Sequence, residues 1–144
     1  MDNDHHEITA FDPHDHRTIT LRIAGPAALL VAKIIKIGER RTDPRRLMPK
    51  DGLDVLRLLQ VIDMPAVATQ LRVLAADPMA GPVTRLALDI LRNDGCQADG
   101  LIATLAAKAI PAIDWDTTTQ SMASLAIELL ASTAGRAIVT QRPV

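Results

Sequence analysis

The chain has almost no aromatic residues and a single cysteine. Phe11 and Trp115 are the only aromatic side chains among 144 residues, so a core has to be built from Ala, Leu, Ile and Val. Because Cys96 is alone, no internal disulfide can form, which is typical of a reducing compartment. The formal net charge of −1 gives no general attraction to nucleic acid or to anionic lipid.

Long apolar runs are also missing. None approaches the roughly 20 residues of a membrane span, and the first residues are polar and acidic, unlike a secretory signal peptide. Nearly half of the chain is hydrophobic (48%), and 144 residues suffice for one domain with its own core. We therefore expect a soluble, cytoplasmic protein without a membrane partner.

Residues 1–17 are predicted to be a polar tail or loop, and residues 18–144 a single helical domain. Zinc needs three or four ligands held in a fixed tetrahedron, and a polar segment without cysteine is a poor frame for it. We expect solvated side chains there and no metal site. The residues concerned are His5, His6, Asp12, His14, Asp15 and His16.

One strand and about six short helices are predicted after this segment. Apolar residues alternate with polar ones from Thr18 to Ile23, which predicts a half-buried strand. Prolines that follow breaks are typical of first helical positions. The predicted helices run from Pro26 to about Arg41, after Pro49, after Pro65, after Asp77-Pro78, from about Gly100 to Ala109, and from a cap at Asp116 to a frayed end after Ala134.

Helical spacing of apolar residues predicts which faces enter the core. The predicted core faces are Val55, Leu58, Leu59 and Ile62 in the second helix, Val67, Leu71 and Leu74 in the third, Met79, Val83, Leu86 and Ile90 in the fourth, and Met122, Leu125, Ala126 and Leu129 in the sixth. Short consecutive helices favour a mainly α fold, a bundle with one or two N-terminal strands.

A basic stripe on the first helix and an acidic turn on the second are the most informative features. The residues are Lys33, Lys36 and Arg40, then Lys50, Asp51 and Asp54. A cationic stripe on a mostly apolar helix needs an anionic neighbour. The connecting loop is short, so Lys33 and Asp51 are expected to approach each other, with Arg40 lining the same cleft. Two readings stay open: ion pairs worth about 0–1 kcal/mol each, or a site for phosphate groups.

An arginine cluster occupies the loop between these helices. Arg41, Arg45 and Arg46 follow Arg40, and Lys50 comes soon after. The cluster is either a solvated loop or a clamp for phosphate or RNA, since guanidinium groups bind phosphate well. It has no aromatic residue on which bases could stack. We assign no role to Cys96 or Trp115.

The stripe and the acidic turn resemble the C-terminal half of AbiEii-type nucleotidyltransferases, the abortive-infection toxins of toxin–antitoxin pairs. In that family a helical lysine is followed a few positions later by an arginine, which matches Lys33 and Arg40 in LLVAKIIKIGER. An acidic residue after Lys or Arg, then a second Asp, matches Lys50-Asp51 and Asp54 in KDGLDVLRLL. The preceding strand and the GPAALL turn are similar to the actinobacterial branch of the family.

This resemblance implies transfer of a nucleotide from a nucleoside triphosphate to an acceptor such as RNA. It implies that Lys33 holds triphosphate oxygens, assisted by Arg40 and Lys50. Asp51 would act as general base or orient the acceptor hydroxyl. Asp54 would have a supporting role, as would Lys36 on the basic stripe. The implied fold is a helical bundle attached to a nucleotidyltransferase-like sheet.

Two earlier motifs of that family are missing from this chain. One is a Gly-Ser turn for the triphosphate, and the other is an acidic pair that binds two divalent metals. The chain has no Gly-Ser dipeptide, and its Asp-x-Asp candidates, Asp2-Asn3-Asp4 and Asp114-Trp115-Asp116, follow no Gly-rich turn. We expect no metal site and no catalysis by the chain alone. Magnesium and a nucleoside triphosphate would be cofactors only after completion by the missing half.

Several explanations of the missing half stay open. Another polypeptide supplies it, the gene start is placed too late, or the chain is a decayed remnant. The alternative function is a non-catalytic helical interaction module. Such a module would bind the missing sheet half or an antitoxin, because the free edge of the strand from Thr18 to Ile23 invites an added strand.

Overall fold

The computed structural model describes residues 3–135, which form six α-helices and a two-stranded hairpin. The strands are β1 (Asn3–Thr9) and β2 (Thr18–Ala24); the helices are α1 (Pro26–Arg40), α2 (Pro49–Val61), α3 (Met64–Ala76), α4 (Gly81–Asp94), α5 (Leu101–Lys108) and α6 (Trp115–Thr133). The prediction of a mainly α fold with about six helices and one or two N-terminal strands is confirmed. The frayed end predicted after Ala134 lies, from residue 136 onward, outside the described residues.

A proline lies in the first turn of each of the first four helices, as the sequence predicts for α1, α2 and α3; in α4 this proline is Pro82 and not the predicted Pro78. The fixed φ of proline suits the first turn, and its missing N–H is not needed there. Asp63 caps α3 by accepting a hydrogen bond of 3.0 Å from the N–H of Ala66. The prediction that Asp116 caps α6 is wrong, because Asp116 lies inside the first turn. Asp114 precedes that helix and makes no side-chain capping bond.

α4 begins later than predicted and buries a different face. Asp77 accepts hydrogen bonds of 2.8 Å from the next two available N–H groups, at residues 79 and 80, which holds this segment in a turn before the helix starts. The predicted core residues Met79, Val83 and Leu86 are exposed. The buried face consists mostly of small residues, which let α4 lie close to α1 and α3. That face contains Gly81, Thr84, Ala87 and Leu91.

The core lies where α2 packs on α5, α5 and α3 pack on α6, and α1 packs on α4 and α2. Its fully enclosed side chains are mostly aliphatic, as the scarcity of aromatic residues requires. The core faces predicted for α2, α3 and α6 do point inward. The largest enclosed side chains are Leu30, Ile34, Ile37, Val55, Leu59, Leu71, Thr84, Leu91, Ile102, Met122 and Leu129.

α2 and α3 meet at a sharp bend. The chain turns by 115° at the break between them, so Leu59 of α2 and Leu71 of α3 reach the same core. Within residues 3–135 no single helix is long and apolar enough to cross a membrane, although α2 and α3 taken together reach that length and composition.

Leu58 is less enclosed than its neighbour Leu59, which is 2% exposed, because Leu58 lines a surface groove. We expect Leu58→Ala to lower the free energy of unfolding by about 1–2 kcal/mol, less than the full cost of a core leucine, since water can enter the space that it leaves. Urea titrations of Leu58→Ala and Leu59→Ala measure the difference. Equal costs would show that Leu58 belongs to the closed core.

The hairpin of β1 and β2 stands beside the helices. Its antiparallel register pairs Asn3 with Ala24 and Thr9 with Thr18. β1 falls within the segment for which composition predicted a tail or loop. The sequence of β1 lacks the alternation of apolar and polar residues that is typical of a half-buried strand. β1 is a strand because its backbone pairs with that of β2. Among the described elements, the hairpin meets the helices mainly where β2 contacts α1.

Candidate functional site

An ion-pair network joins α1 to α2. Lys36 Nζ lies 2.6 Å from Asp51 Oδ1, and Arg40 Nη1 lies 3.0 Å from Asp51 Oδ2. Lys33 Nζ lies 2.8 Å from Asp54 Oδ2. Asp54 lies three residues after Asp51 on α2, whereas its partner Lys33 lies three residues before Lys36 on α1. The helices therefore run antiparallel, and their matching spacings bring each carboxylate opposite a lysine.

The structure brings the predicted site residues onto one helix pair, with partners that differ from the prediction. Lys33 and Asp51 belong to neighbouring ion pairs between the same two helices, because Lys33 bonds to Asp54, one turn away from Asp51. Asp51 is held by Lys36 and Arg40. The two residues that were given supporting roles, Asp54 and Lys36, thus make direct contacts. Arg40 contacts Asp51, but it is not among the residues that line the surface groove at Lys33 and Leu58.

Asp51 is the most enclosed charge of this network. Its side chain is 6% exposed, and each of its two oxygens accepts a hydrogen bond from a cation. It also lies in the first turn of α2, where the helix dipole favours a carboxylate. A buried carboxylate is tolerated when it is paired in this way. Proton abstraction by Asp51 would require Lys36 or Arg40 to withdraw first.

Asp54 is more open and is electrostatically perturbed. Its pKa is lowered, chiefly because Lys33 donates a hydrogen bond to the carboxylate. The charges of Lys33, Lys50 and Arg57 lower this pKa further, whereas burial opposes the change. Lys50 is exposed at the start of α2 and acts on Asp54 through its charge.

The lowered pKa of Asp54 predicts a loss of stability in acid. A carboxylate with a lowered folded pKa stabilises the fold above its unfolded pKa, about 3.9, and that contribution is lost as pH falls through the folded value. We expect the urea midpoint to fall between pH 7 and pH 3, and to fall less in Asp54→Asn. Asp89→Asn, which removes an exposed carboxylate from α4, is the control. An unchanged pH dependence in Asp54→Asn would contradict this assignment.

A shallow groove of about 330 Å³ adjoins the network on its Lys33 side. Leu29, Leu58 and Val61 form its apolar wall, and Lys33, Asp54 and Arg57 supply its charges. The sequence analysis missed Arg57. Its signal was present, because it continues the spacing of three residues from the second acidic residue of α2 and so extends the same helix face.

The arginine cluster is dispersed in the structure. Arg41 pairs with Asp94 at the end of α4, and Arg45 Nε lies 3.2 Å from Asp43 Oδ1. Arg40 turns inward to the network and also donates to the carbonyl of Arg46 at 3.4 Å. The cluster therefore does not form one basic surface. The pair between Arg41 and Asp94, which ties α1 to α4, was not foreseen.

The histidine segment lies in β1 and the loop after it, and the candidate Asp114-Trp115-Asp116 lies at the start of α6, whereas Asp2 of the other Asp-x-Asp candidate lies outside the described residues. His5 and His6 are exposed in β1, and Asp15 pairs with Arg17. The candidate around Trp115 opens α6, where the indole donates to a backbone carbonyl at 3.1 Å. In the described part of the chain, no group of three or more His, Cys, Asp or Glu residues could hold a metal ion. Elsewhere, partial burial raises the pKa of the Cys96 thiol.

Comparisons with known proteins return no relative. No protein-family model matches the chain. No curated protein has a significantly similar sequence, and no solved structure matches this fold significantly.

Proposed function

We propose that this chain is the helical part of an AbiEii-like nucleotidyltransferase and works with a separate metal-binding part. One observation carries the proposal. Two motifs from different parts of the sequence, Lys33 with Arg40 and Asp51 with Asp54, meet across α1 and α2 in one network. The reaction would be transfer of a nucleotide from a nucleoside triphosphate to a hydroxyl acceptor such as RNA.

The cations at the groove are suited to phosphate. The side chain of Lys33 is 29% exposed, and both Lys33 and Arg57 line the groove. Arg57 makes no ion pair with a described residue, so its fork of donors is available to an oxyanion. Lys50, exposed one turn before Asp54, would add charge at the same end of α2. The apolar groove wall would contact the less polar part of a nucleotide.

The described residues do not fit a pair of magnesium ions. Both oxygens of Asp51 are engaged by cations, and Asp54 is engaged by Lys33. Magnesium prefers an oxygen-rich site with open carboxylates, whereas the charges of both carboxylates are already balanced by lysine and arginine side chains. The proposal therefore assigns metal binding, and the catalysis that depends on it, to the completing part and not to this chain.

Nucleotide binding by the isolated chain tests the proposal. We expect weak, salt-sensitive binding of nucleoside triphosphates, measured by titration calorimetry at low ionic strength. Lys33→Gln should weaken it about tenfold or more, since it removes one charge-assisted hydrogen bond. Lys108→Gln, at an exposed position on α5, is the matched control and should bind like the parent. Circular dichroism verifies that each variant is folded.

Two results would contradict the proposal. Folded protein that binds no triphosphate, or that binds equally well after Lys33→Gln, removes the nucleotide site. Labelled RNA, formed from labelled triphosphate by the chain alone with magnesium or manganese, shows that no completing part is needed. Activity that appears only with a partner carrying a Gly-Ser turn and an Asp-x-Asp pair, encoded upstream or in an adjacent gene, supports the proposal.

A second candidate function is a non-catalytic protein-interaction module for a sheet half or an antitoxin. A separate observation favours it: Ile8, Ile19 and Ile23 of the hairpin are all exposed. Exposed aliphatic residues on paired strands are typical of a surface that another protein covers. Co-purification of a strand-donating partner that is lost after Ile19→Lys would support this function.

A further inference from the structure

The two strands of the hairpin have different characters. β1 carries Asp4 and Glu7 with two histidines, whereas β2 carries Arg22 as its one charged residue. Natural edge strands use charges to oppose further pairing, and central strands are rich in β-branched residues. By composition, β1 is an edge strand and β2 is a central strand. Among the described residues, however, β2 pairs with β1 alone.

The hairpin also leaves aliphatic surface uncovered. Ile8 lies opposite Ile19 in the register, so both occupy the same face, and they are 49% and 62% exposed. Ile23 shares this face by alternation and is 44% exposed. A two-stranded hairpin is marginally stable in water, and three or more strands are needed for independent stability.

We propose that β2 pairs antiparallel with β2 of a second copy of this chain, across a two-fold axis at position 21. The result is a four-stranded sheet in which the two central strands are both β2. This register places Ile19 of one copy opposite Ile23 of the other. With Ile8 beside Ile19, each side of the axis then has a row of three isoleucines across three strands.

The sequence of β2 favours a second copy as the occupant. Read outward from position 21, both directions give a polar residue, an isoleucine and a small residue, so the strand complements itself. The two-fold at position 21 places Arg22 opposite Thr20, without opposed like charges. If the pairing register between the two β2 strands shifted by one residue, the apolar face of one strand would lie on the same side of the sheet as the polar face of the other. A two-fold at position 22 would oppose Arg22 to itself, and one at position 20 would leave Ile23 unpaired.

The charges on β1 limit this assembly to two copies. After β2 pairs with β2, the free sheet edges that remain among residues 3–135 are the two β1 strands with their acidic residues. Asp4 and Glu7 give each of these edges two acidic residues, and charged residues are a means by which natural edge strands oppose further pairing. A closed two-fold is also the commonest symmetry of soluble oligomers. The inference does not depend on nucleotide binding, because dimerisation is measured without nucleotide and can stand if that function fails.

A disulfide at the two-fold axis tests the inference. In a Cys96→Ser background, Leu21→Cys places a thiol opposite its own copy, at about 4.5–5.5 Å between Cα atoms, within the range of a disulfide. Thr20→Cys is the matched control, since its symmetry mate is a diagonal neighbour about 7–8 Å away. We expect mild oxidation to cross-link the first variant into a dimer at least several times faster than the second.

Sedimentation of the unmodified chain and of two lysine variants completes the test. We expect a dimer for the parent and for Thr18→Lys, an exposed position that lies opposite Ala24 of the other copy, and a monomer with unchanged helical circular dichroism for Ile19→Lys. A parent that stays monomeric, or position 20 cross-linking as fast as position 21, would overturn the inference. So would a dimer that Ile19→Lys leaves intact, since its contact would lie elsewhere on the molecule.

Discussion

Asp51→Ala is expected to lower the free energy of unfolding by about 3 kcal/mol. The substitution leaves Lys36 and Arg40 close together at a nearly enclosed position without the carboxylate that neutralises both. Breaking a buried ion pair by removing one partner costs about 3–5 kcal/mol. We expect the lower end, because the side chains of Lys36 and Arg40 are 40% and 25% exposed and keep some contact with water. Urea unfolding at pH 7 measures this cost.

Asp54→Ala is the matched control for that measurement. It removes a carboxylate of the same helix with one cation partner in place of two, and its side chain is 20% exposed against 6% for Asp51. We expect a cost of about 1 kcal/mol, as for other partly exposed ion pairs. If Asp54→Ala cost as much as Asp51→Ala, Asp51 would not be the central anion of the network.

This stability cost affects how the proposed nucleotide function can be studied. If Asp51→Ala unfolds part of the population, lost activity of a completed enzyme would not separate catalysis from folding. Asp51→Asn keeps the size and shape of the side chain, although its one amide oxygen can accept a hydrogen bond from only one of Lys36 and Arg40, and its NH2 group meets the other. Paired measurements of unfolding and of nucleotide transfer on Asp51→Asn separate the roles, because only a catalytic role makes transfer fall much more than stability.

The sequence could predict the helix pair and its charges, but not the partners within it. Lys33 and Lys36 on α1 have the same spacing of three residues as Asp51 and Asp54 on α2, and the short connection between the two helices predicts that they run antiparallel. Whether Asp51 meets Lys33 or Lys36 depends on the length of the turn between the helices. The short 3₁₀ segment Pro44–Arg46 sets that length. A shift of about one helical turn separates the predicted contact from the observed one.

The spacing of apolar residues does not predict which face of α4 is buried. Hydrophobic periodicity ranks large side chains first and therefore selects Met79, Val83 and Leu86, which are exposed. The buried face is chosen by close approach to neighbouring helices, which small residues permit. Gly81 and Ala87 carry that information only once the neighbours are known. The same reasoning explains why the close contact at Gly52 was not foreseen.

Gly52→Ala is expected to lower the free energy of unfolding by about 3 kcal/mol or more, through overpacking against backbone that cannot move cheaply. The contact between α2 and α5 is the most extensive contact between two helices of the described residues. A Cβ at position 52 would lie 2.6 Å from the backbone nitrogen of Ala106 and 2.8 Å from the carbonyl oxygen of Ile102. Relief requires α5 to move away from α2, which opens the core around Val55. Urea and thermal unfolding measure the loss.

Gly38→Ala separates this steric effect from the general consequences of replacing a helical glycine. A Cβ at position 38 would lie 2.5 Å from Cδ1 of Ile90, the end of a flexible side chain, and its other near neighbours belong to Ile90 as well. Alanine is favoured over glycine in a helix by about 1 kcal/mol, and rotation of Ile90 can relieve the contact. We therefore expect Gly38→Ala to stay within about 1 kcal/mol of the parent. Similar losses for both variants would mean that the proximity of α5 does not decide the cost at Gly52.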